Sequence, residues 1–268
     1  MTETITTWQG QRVLVTGASS GIGAAIARDL AGQGATVGLV ARREGLLERV
    51  LADCRAQAPD SVALPFDLTD LDGLGSLVQR AEKELSGIDV LVNNAGVTYA
   101  GTAASAPLSD LEAQLRINYL SPVRLTQLVL PAMRDRGSGR VVVVSSMAAP
   151  TSPPGEAPYA AAKSALSTYI EALAGELWGG PVSFHLVYPA LIDLADGVDG
   201  DDELARTSDG ATLIPAPVAA RAIRGQLERG DLELYIPETM RAFVAGRSRD
   251  VAGAVEFMAT LYREGRLH

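Results

Sequence analysis

Lysine is almost missing from this chain. Of 268 residues only Lys83 and Lys163 carry an ammonium, and arginine supplies the other cations. Cysteine is just as scarce: Cys54 stands alone, so no internal disulfide can form, and the cytoplasm is the expected compartment. With two histidines, His185 inside an apolar run and His268 at the last position, no His-based triad or metal cluster stands out. Aromatic residues make up 5%, and a net charge of −9 leaves no basic footprint for nucleic acid. No apolar stretch is long enough for a membrane span, and Met1 to Gly10 lack the charged and apolar regions of a secretory signal. The acids between Asp193 and Gly210 do not follow calcium-loop spacing, so no metal site is expected. What remains is a chain 47% hydrophobic and 21% charged, of a length that fits one α/β domain over residues 1–268.

The scarcity of lysine makes the position of Lys163 informative. Val141 to Val144 are four consecutive β-branched residues, the pattern of a strand buried on both faces, and they run into Ser145-Ser146. In open α/β sheets, ligands gather at the carboxyl ends of strands. After the Pro- and Gly-rich loop from Pro150 to Pro158, alanines restore helix propensity, and Tyr159 and Lys163, four apart, share a face. A phenol beside an ammonium is an acid–base device, because a cation favours the phenolate and lowers a pKa that is otherwise about 10.

Upstream, the strand Arg12 to Thr16 enters Thr16-Gly17-Ala18-Ser19-Ser20-Gly21-Ile22-Gly23, and helical periodicity then runs from Ala24 to Gln33. Strand, glycine turn and helix form the context of a dinucleotide-phosphate loop, in which glycines admit the pyrophosphate and the helix start offers free N–H groups. The second strand, Ala35 to Val40, closes on Ala41-Arg42-Arg43. An acid at that point suits a ribose 2′-hydroxyl and arginine suits a 2′-phosphate, so two guanidiniums favour NADP(H) over NAD(H). The alternative is that both belong to the solvated first turn of the following helix. The third strand, Ser61 to Phe66, leads to Asp67-Leu68-Thr69-Asp70, where Asp67 is placed to meet an adenine amino group and Asp70 to cap the helix ending at Leu85. The fourth, Ile88 to Val92, ends in Asn93-Asn94-Ala95-Gly96, read either as a close approach to a cofactor or as a simple turn.

Pro107 to Asp135 reads as one long helix containing Asn118, either the mark of a kink with a freed carbonyl or a satisfied core amide. Val182 to Val187 is a sixth strand, and the acidic segment within 190–214 reads as a lid over substrate or as a plain solvated loop. Leu232 to Ile236 is the last strand, and 237–268 forms a helical tail.

Together these residues resemble the short-chain dehydrogenases/reductases of the single-domain branch, over nearly the whole chain. The order and spacing carry the resemblance: Thr16-Gly17-x-x-x-Gly21-x-Gly23, Asn93-Asn94-Ala95-Gly96, Asn118, Ser146 and Tyr159-x-x-x-Lys163, with the serine thirteen residues before the tyrosine. The resemblance implies a doubly wound parallel sheet in the order 3-2-1-4-5-6-7, with helices on both faces. It implies a homodimer or homotetramer built through Pro107 to Asp135 and Pro158 to Trp178, and ketone or aldehyde exchange with alcohol by hydride transfer. In that family Tyr159 would be the general acid/base and Ser146, with Ser145 as its neighbouring alternative, would bind the substrate oxygen. Lys163 would hold the nicotinamide ribose and lower the pKa of Tyr159, and Asn118 would hold a relay water. The nucleotide would meet Gly17, Ser19, Ser20, Gly21, Ile22, Gly23, Arg42, Arg43, Asp67, Leu68, Asn94, Ala95, Gly96, Tyr159, Lys163, Pro189 and Ile192. The chain departs from the family where Pro189 is followed by Ala190 rather than glycine and where Asp193 stands near a usual threonine. Family members acting on acyl carrier protein often present basic residues near the site; Glu171 to Gly180 has two acids and no cation, so that substrate is discounted. The rival expectation is a non-catalytic nucleotide-binding sensor or scaffold of the same fold.

Overall fold

Alternation along the strands sorts the apolar residues into two cores. Val13 and Val15 face one side of the sheet and Leu14 the other; Val142 and Val144 join the first side, Val141 and Val143 the second. Period-two alternation with both faces apolar is what a central parallel strand requires. In the computed structural model, which describes residues 6–193, 205–206 and 212–265, seven parallel strands form that sheet. They are β1 (Arg12–Thr16), β2 (Thr36–Ala41), β3 (Val62–Pro65), β4 (Val90–Asn93), β5 (Gly139–Val144), β6 (Val182–Pro189) and β10 (Glu233–Ile236). Their order is β3-β2-β1-β4-β5-β6-β10, the expected doubly wound arrangement, with β10 as the seventh strand. The order reverses between β1 and β4, where Val13 pairs with Val90, and a crevice opens at such a switch point.

Helices α1 (Gly21–Gly32), α2 (Glu44–Arg55) and α8 (Ala216–Arg229) cover the first core. The second lies beneath α3 (Leu74–Leu85), α5 (Ser121–Asp135) and α7 (Ala157–Glu176). Three short strands that the sequence did not announce, β7 (Ile192–Asp193), β8 (Ala205–Arg206) and β9 (Thr212–Pro215), make a small second sheet in the order β7-β9-β8. Most of the anticipated lid lies outside the described residues.

The single long helix expected over Pro107 to Asp135 is instead three pieces. Helix α4 (Leu108–Leu115) passes into a π-helical stretch, Arg116–Leu120, and then into α5. Such widened turns arise where a side chain or backbone group has a task beyond the i to i−4 ladder. Asp70, expected to cap α3, accepts from Gly73 N at 3.1 Å and so closes the turn ahead of the helix.

The tail is a pair of helices, α9 (Met240–Arg249) and α10 (Val251–Arg263), broken at Asp250, which caps α10 by accepting from Gly253 N at 2.8 Å. Met240 and Val244 of α9 pack on the second core, and Phe243 meets Phe257 of α10 at 6.0 Å between ring centres. Among the described residues no helix is long and apolar enough to cross a membrane.

Candidate active site

The carboxyl ends of the central strands open into one cleft of about 980 Å³, at the upper end of the usual size for small-molecule sites. Every residue expected to touch a nucleotide lines it except Gly23, which lies beneath the loop. Ser146, Tyr159 and Lys163 line it as well, while Asn118 sits behind the wall, fully buried.

The glycine loop is held by close packing. Gly17 has φ +68°, and a Cβ there would stand 2.8 Å from Ala95 Cα; at Gly23 it would stand 2.4 Å from both Gly17 O and Asn94 Nδ2. Thr16 fixes the opposing turn: its hydroxyl accepts from the amides of Asn94 and Ala95 at 3.0 and 3.1 Å and donates to Val92 O at 3.2 Å. This anchoring role was not singled out in the sequence. No side chain caps α1 and no acid occupies its first turn, so its amino end presents free N–H groups and a positive dipole to the cleft. Arg43 reaches over the loop, donating to Ser20 Oγ at 2.6 Å and Ser19 Oγ at 3.1 Å. Arg42 lies near enough to Asp67 for its charge to help hold that carboxyl below the usual range, after the main cause, donation from the Thr69 amide. A glycine cradle, an uncapped helix start and two exposed guanidiniums fit a dinucleotide phosphate.

At the other end the two serines part company. Ser145 is turned inward, with Oγ 2.8 Å from Ser167 Oγ. Ser146 accepts from Ala148 N at 3.1 Å and lies near enough to the Tyr159 phenol to act on its pKa. Both serines line the cleft.

Lys163, only 3% exposed, donates from Nζ to Val144 O at 2.9 Å, the last carbonyl of β5. Burial pushes its pKa down to about 8. Gly96 is the residue that permits this: a Cβ there would lie 2.7 Å from Asn118 Oδ1 and 3.3 Å from Lys163 Nζ. The hydrogen bonds of Asn118 fit the satisfied core amide. The residue lies in the π-helical stretch, and its amide is satisfied, donating to Val97 O at 3.0 Å and Gln114 Oε1 at 2.8 Å while accepting from Val97 N at 3.2 Å.

One expectation is corrected. The Tyr159 phenol is pushed up from its ordinary value, not down: burial is the largest cause, the nearby Ser146 hydroxyl opposes it, and the Glu156 carboxylate adds to it. Lys163 Nζ lies 5.9 Å from the tyrosine ring centre, and its hydrogen bond is given to Val144 rather than to the phenol. Asp193, expected near the nicotinamide, pairs with Pro215 on the small sheet and does not line the cleft, whereas Ala190, Leu191 and Ile192 do. Glu156, Tyr99 and Tyr262 line it without having been singled out, since lone residues in loops and at helix ends carry no periodic signal.

Comparison with known proteins identifies the family and the fold. A family model described as short chain dehydrogenase matches residues 11–202. A ketoacyl reductase, HetN, of Nostoc sp. is 34% identical over 220 residues, 82% of this chain and 76% of that protein. Nodulation protein G of Rhizobium sp. is 34% identical over 247 residues, 92% of this chain and 97% of that one. In fold, the chain is similar to a crystal structure of a short chain dehydrogenase/reductase from Burkholderia phymatum in complex with NAD. There the TM-score is 0.82 at 23% identity, covering 92% of this chain and 96% of that one.

The buried ammonium makes a stability prediction whose sign follows from proton binding. Between about 8 and the model-peptide value of 10.5, unfolded Lys163 keeps a proton that the folded residue has released. The unfolded state therefore binds more protons, and this group's contribution to stability rises with pH across that window, by about 1.4 kcal/mol per unit of separation. Urea unfolding of wild type and Lys163→Met is expected to show the wild type gaining on the variant between pH 8 and 10; parallel curves would contradict the assignment.

Proposed function

The chain belongs to the short-chain dehydrogenase/reductase family of NAD(P)-dependent oxidoreductases, and we propose that it uses NADP(H) to interconvert a ketone or aldehyde with an alcohol on a small, largely apolar substrate. The observation that carries this reading is that Ser146, Tyr159 and the buried Lys163 line one cleft together with the glycine loop. When bound, the nicotinamide supplies the two-electron chemistry that links carbonyl and alcohol.

The chain's own residues account for the proton and for orientation. A phenol with a raised pKa stays protonated at neutral pH, which suits donation to a carbonyl oxygen that becomes an alkoxide. Ser146 supplies a second donor to that oxygen. Lys163, fixed between Val144 and the turn at Gly96, is the group assigned to the nicotinamide ribose. Asn118 is assigned the support of the proton path, through the turn at Val97 and the π-helical carbonyls beside it. Arg42 and Arg43, exposed beside the phosphate loop, are assigned to a 2′-phosphate, and Asp67 and Leu68 to the adenine. The cleft wall from Pro189 to Ile192 is assigned to the nicotinamide side, with the following segment as a lid. The single buried cysteine fits a cytoplasmic enzyme.

Leu108, Leu115 and Leu120 are exposed along the α4–α5 stretch and Trp178 just past α7, which supports pairing of copies through these helices. Light scattering is expected to give a dimer or tetramer; a monomer at micromolar concentration would rule the pairing out. Tyr159→Phe is expected to abolish turnover, with NADPH affinity nearly intact by fluorescence titration; wild-type rates in that variant would reject the acid/base role. Removing both guanidiniums in Arg42→Ala/Arg43→Ala is expected to weaken NADPH by a few kcal/mol, about 1.5 to 3 per charge-assisted contact, and to leave NADH little changed. Equal losses for the two nucleotides would refute the 2′-phosphate assignment.

A further inference from the structure

The substrate end of the cleft contains a carboxylate that the reaction does not need. Of the charged residues lining the cleft, Arg42, Arg43 and Asp67 stand at the nucleotide end, and Glu156 and Lys163 at the other. Lys163 is engaged with Val144 O. Glu156 precedes α7, three residues before Tyr159, half-buried, and among the described residues no cation pairs with it. Its charge is nonetheless felt at the reacting phenol, which it pushes up.

Two tyrosines share this end with it. The loops carrying Tyr99 and Glu156 are tied together, since Gly101 N donates to Gly155 O at 2.9 Å. A Cβ on Gly155 would lie 3.3 Å from Tyr262 Cε2, and one on Gly101 would lie 2.8 Å from the Tyr99 hydroxyl. Both rings line the cleft, Tyr262 arriving from α10. A half-buried carboxylate with no cation paired to it among the described residues is costly, and burial pushes the Glu156 carboxyl above the usual range. A carboxylate with aromatic rings beside it is the environment that an organic ammonium stabilises, through an ion pair and through the ring faces. The same charge repels a carboxylate.

We propose that Glu156, with Tyr99 and Tyr262 beside it, is a specificity-determining residue that selects carbonyl or alcohol substrates bearing an amine-type cation and rejects those bearing a carboxylate. The inference rests on the carbonyl–alcohol reading of the same cleft and narrows its substrate class to an otherwise apolar molecule with one ammonium.

The test uses the full-length protein with NADPH and three ketones of matched size, one neutral, one carrying an ammonium and one a carboxylate. For each, kcat/KM is compared between wild type and Glu156→Gln, with the neutral ketone as the reference that absorbs any change transmitted through Tyr159. Wild type is expected to prefer the ammonium ketone to the carboxylate. In E156Q that ratio is expected to fall by about ten- to a hundredfold, the scale of a charge-assisted contact, chiefly through KM. An unchanged ratio, or a wild type that prefers the carboxylate, overturns the inference while leaving the oxidoreductase reading intact. A wild type inert toward all three and across a broader carbonyl panel overturns both.

Discussion

A lysine ammonium with 3% of its surface exposed is the constraint around which the active end of this molecule is built. Burying such a charge is costly unless polar groups replace its water. Here the replacement is Val144 O, the terminal carbonyl of the central strand β5. That bond is available only because the apolar run Val141–Val144 delivers a carbonyl with no further strand partner to the point where α7 crosses. The close approach of the Asn94–Gly96 turn, and with it the side chain of Asn118, is possible only because Gly96 has no Cβ. Lys163 thus fixes a strand end to a helix, and Asn118 ties the π-helical stretch to the turn beside it.

The nucleotide end follows a different logic. It is assembled from backbone rather than from side chains: Thr16 clamps the turn of β4 against the end of β1, and two glycines remove the bulk that would otherwise separate them. The resulting cavity exposes the start of α1 without a cap. Backbone dipoles bind phosphate without distinguishing one dinucleotide from another. In the NADP(H) reading proposed above, discrimination falls to the exposed guanidiniums at the end of β2.

Much of this was legible in the amino-acid order. Val141–Val144 announces a central strand because four β-branched residues suit nothing else as well. Gly17, Gly21 and Gly23 announce a loop because they follow an apolar strand and precede a helical period. Lys163 stood out because the chain has almost no other lysine. What escaped has a common cause. The break of the long helix at Arg116–Leu120 depends on a buried amide finding partners at Val97 and Gln114, contacts made across the fold. The small sheet pairs Ile192 with Ile214 across a long connection, and no local pattern reports such pairing. Glu156, Tyr99 and Tyr262 line one cleft only after two distant loops and α10 have folded. The direction of the Tyr159 shift was misjudged because spacing shows that a cation is near but not how deeply the phenol is buried.

A phenol raised by burial is an acid waiting for a compensating positive charge. The oxidised nicotinamide ring carries such a charge, and a nearby cation favours the phenolate. The account is therefore tested most directly by ultraviolet difference titration of the phenolate of residue 159, taken as wild type minus Tyr159→Phe, for the protein alone and saturated with NADP⁺. It predicts ionisation above the free-tyrosine value of about 10 in the protein alone and a clear fall when the oxidised nucleotide binds. Identical titrations in the two states, or a rise on binding, would contradict it.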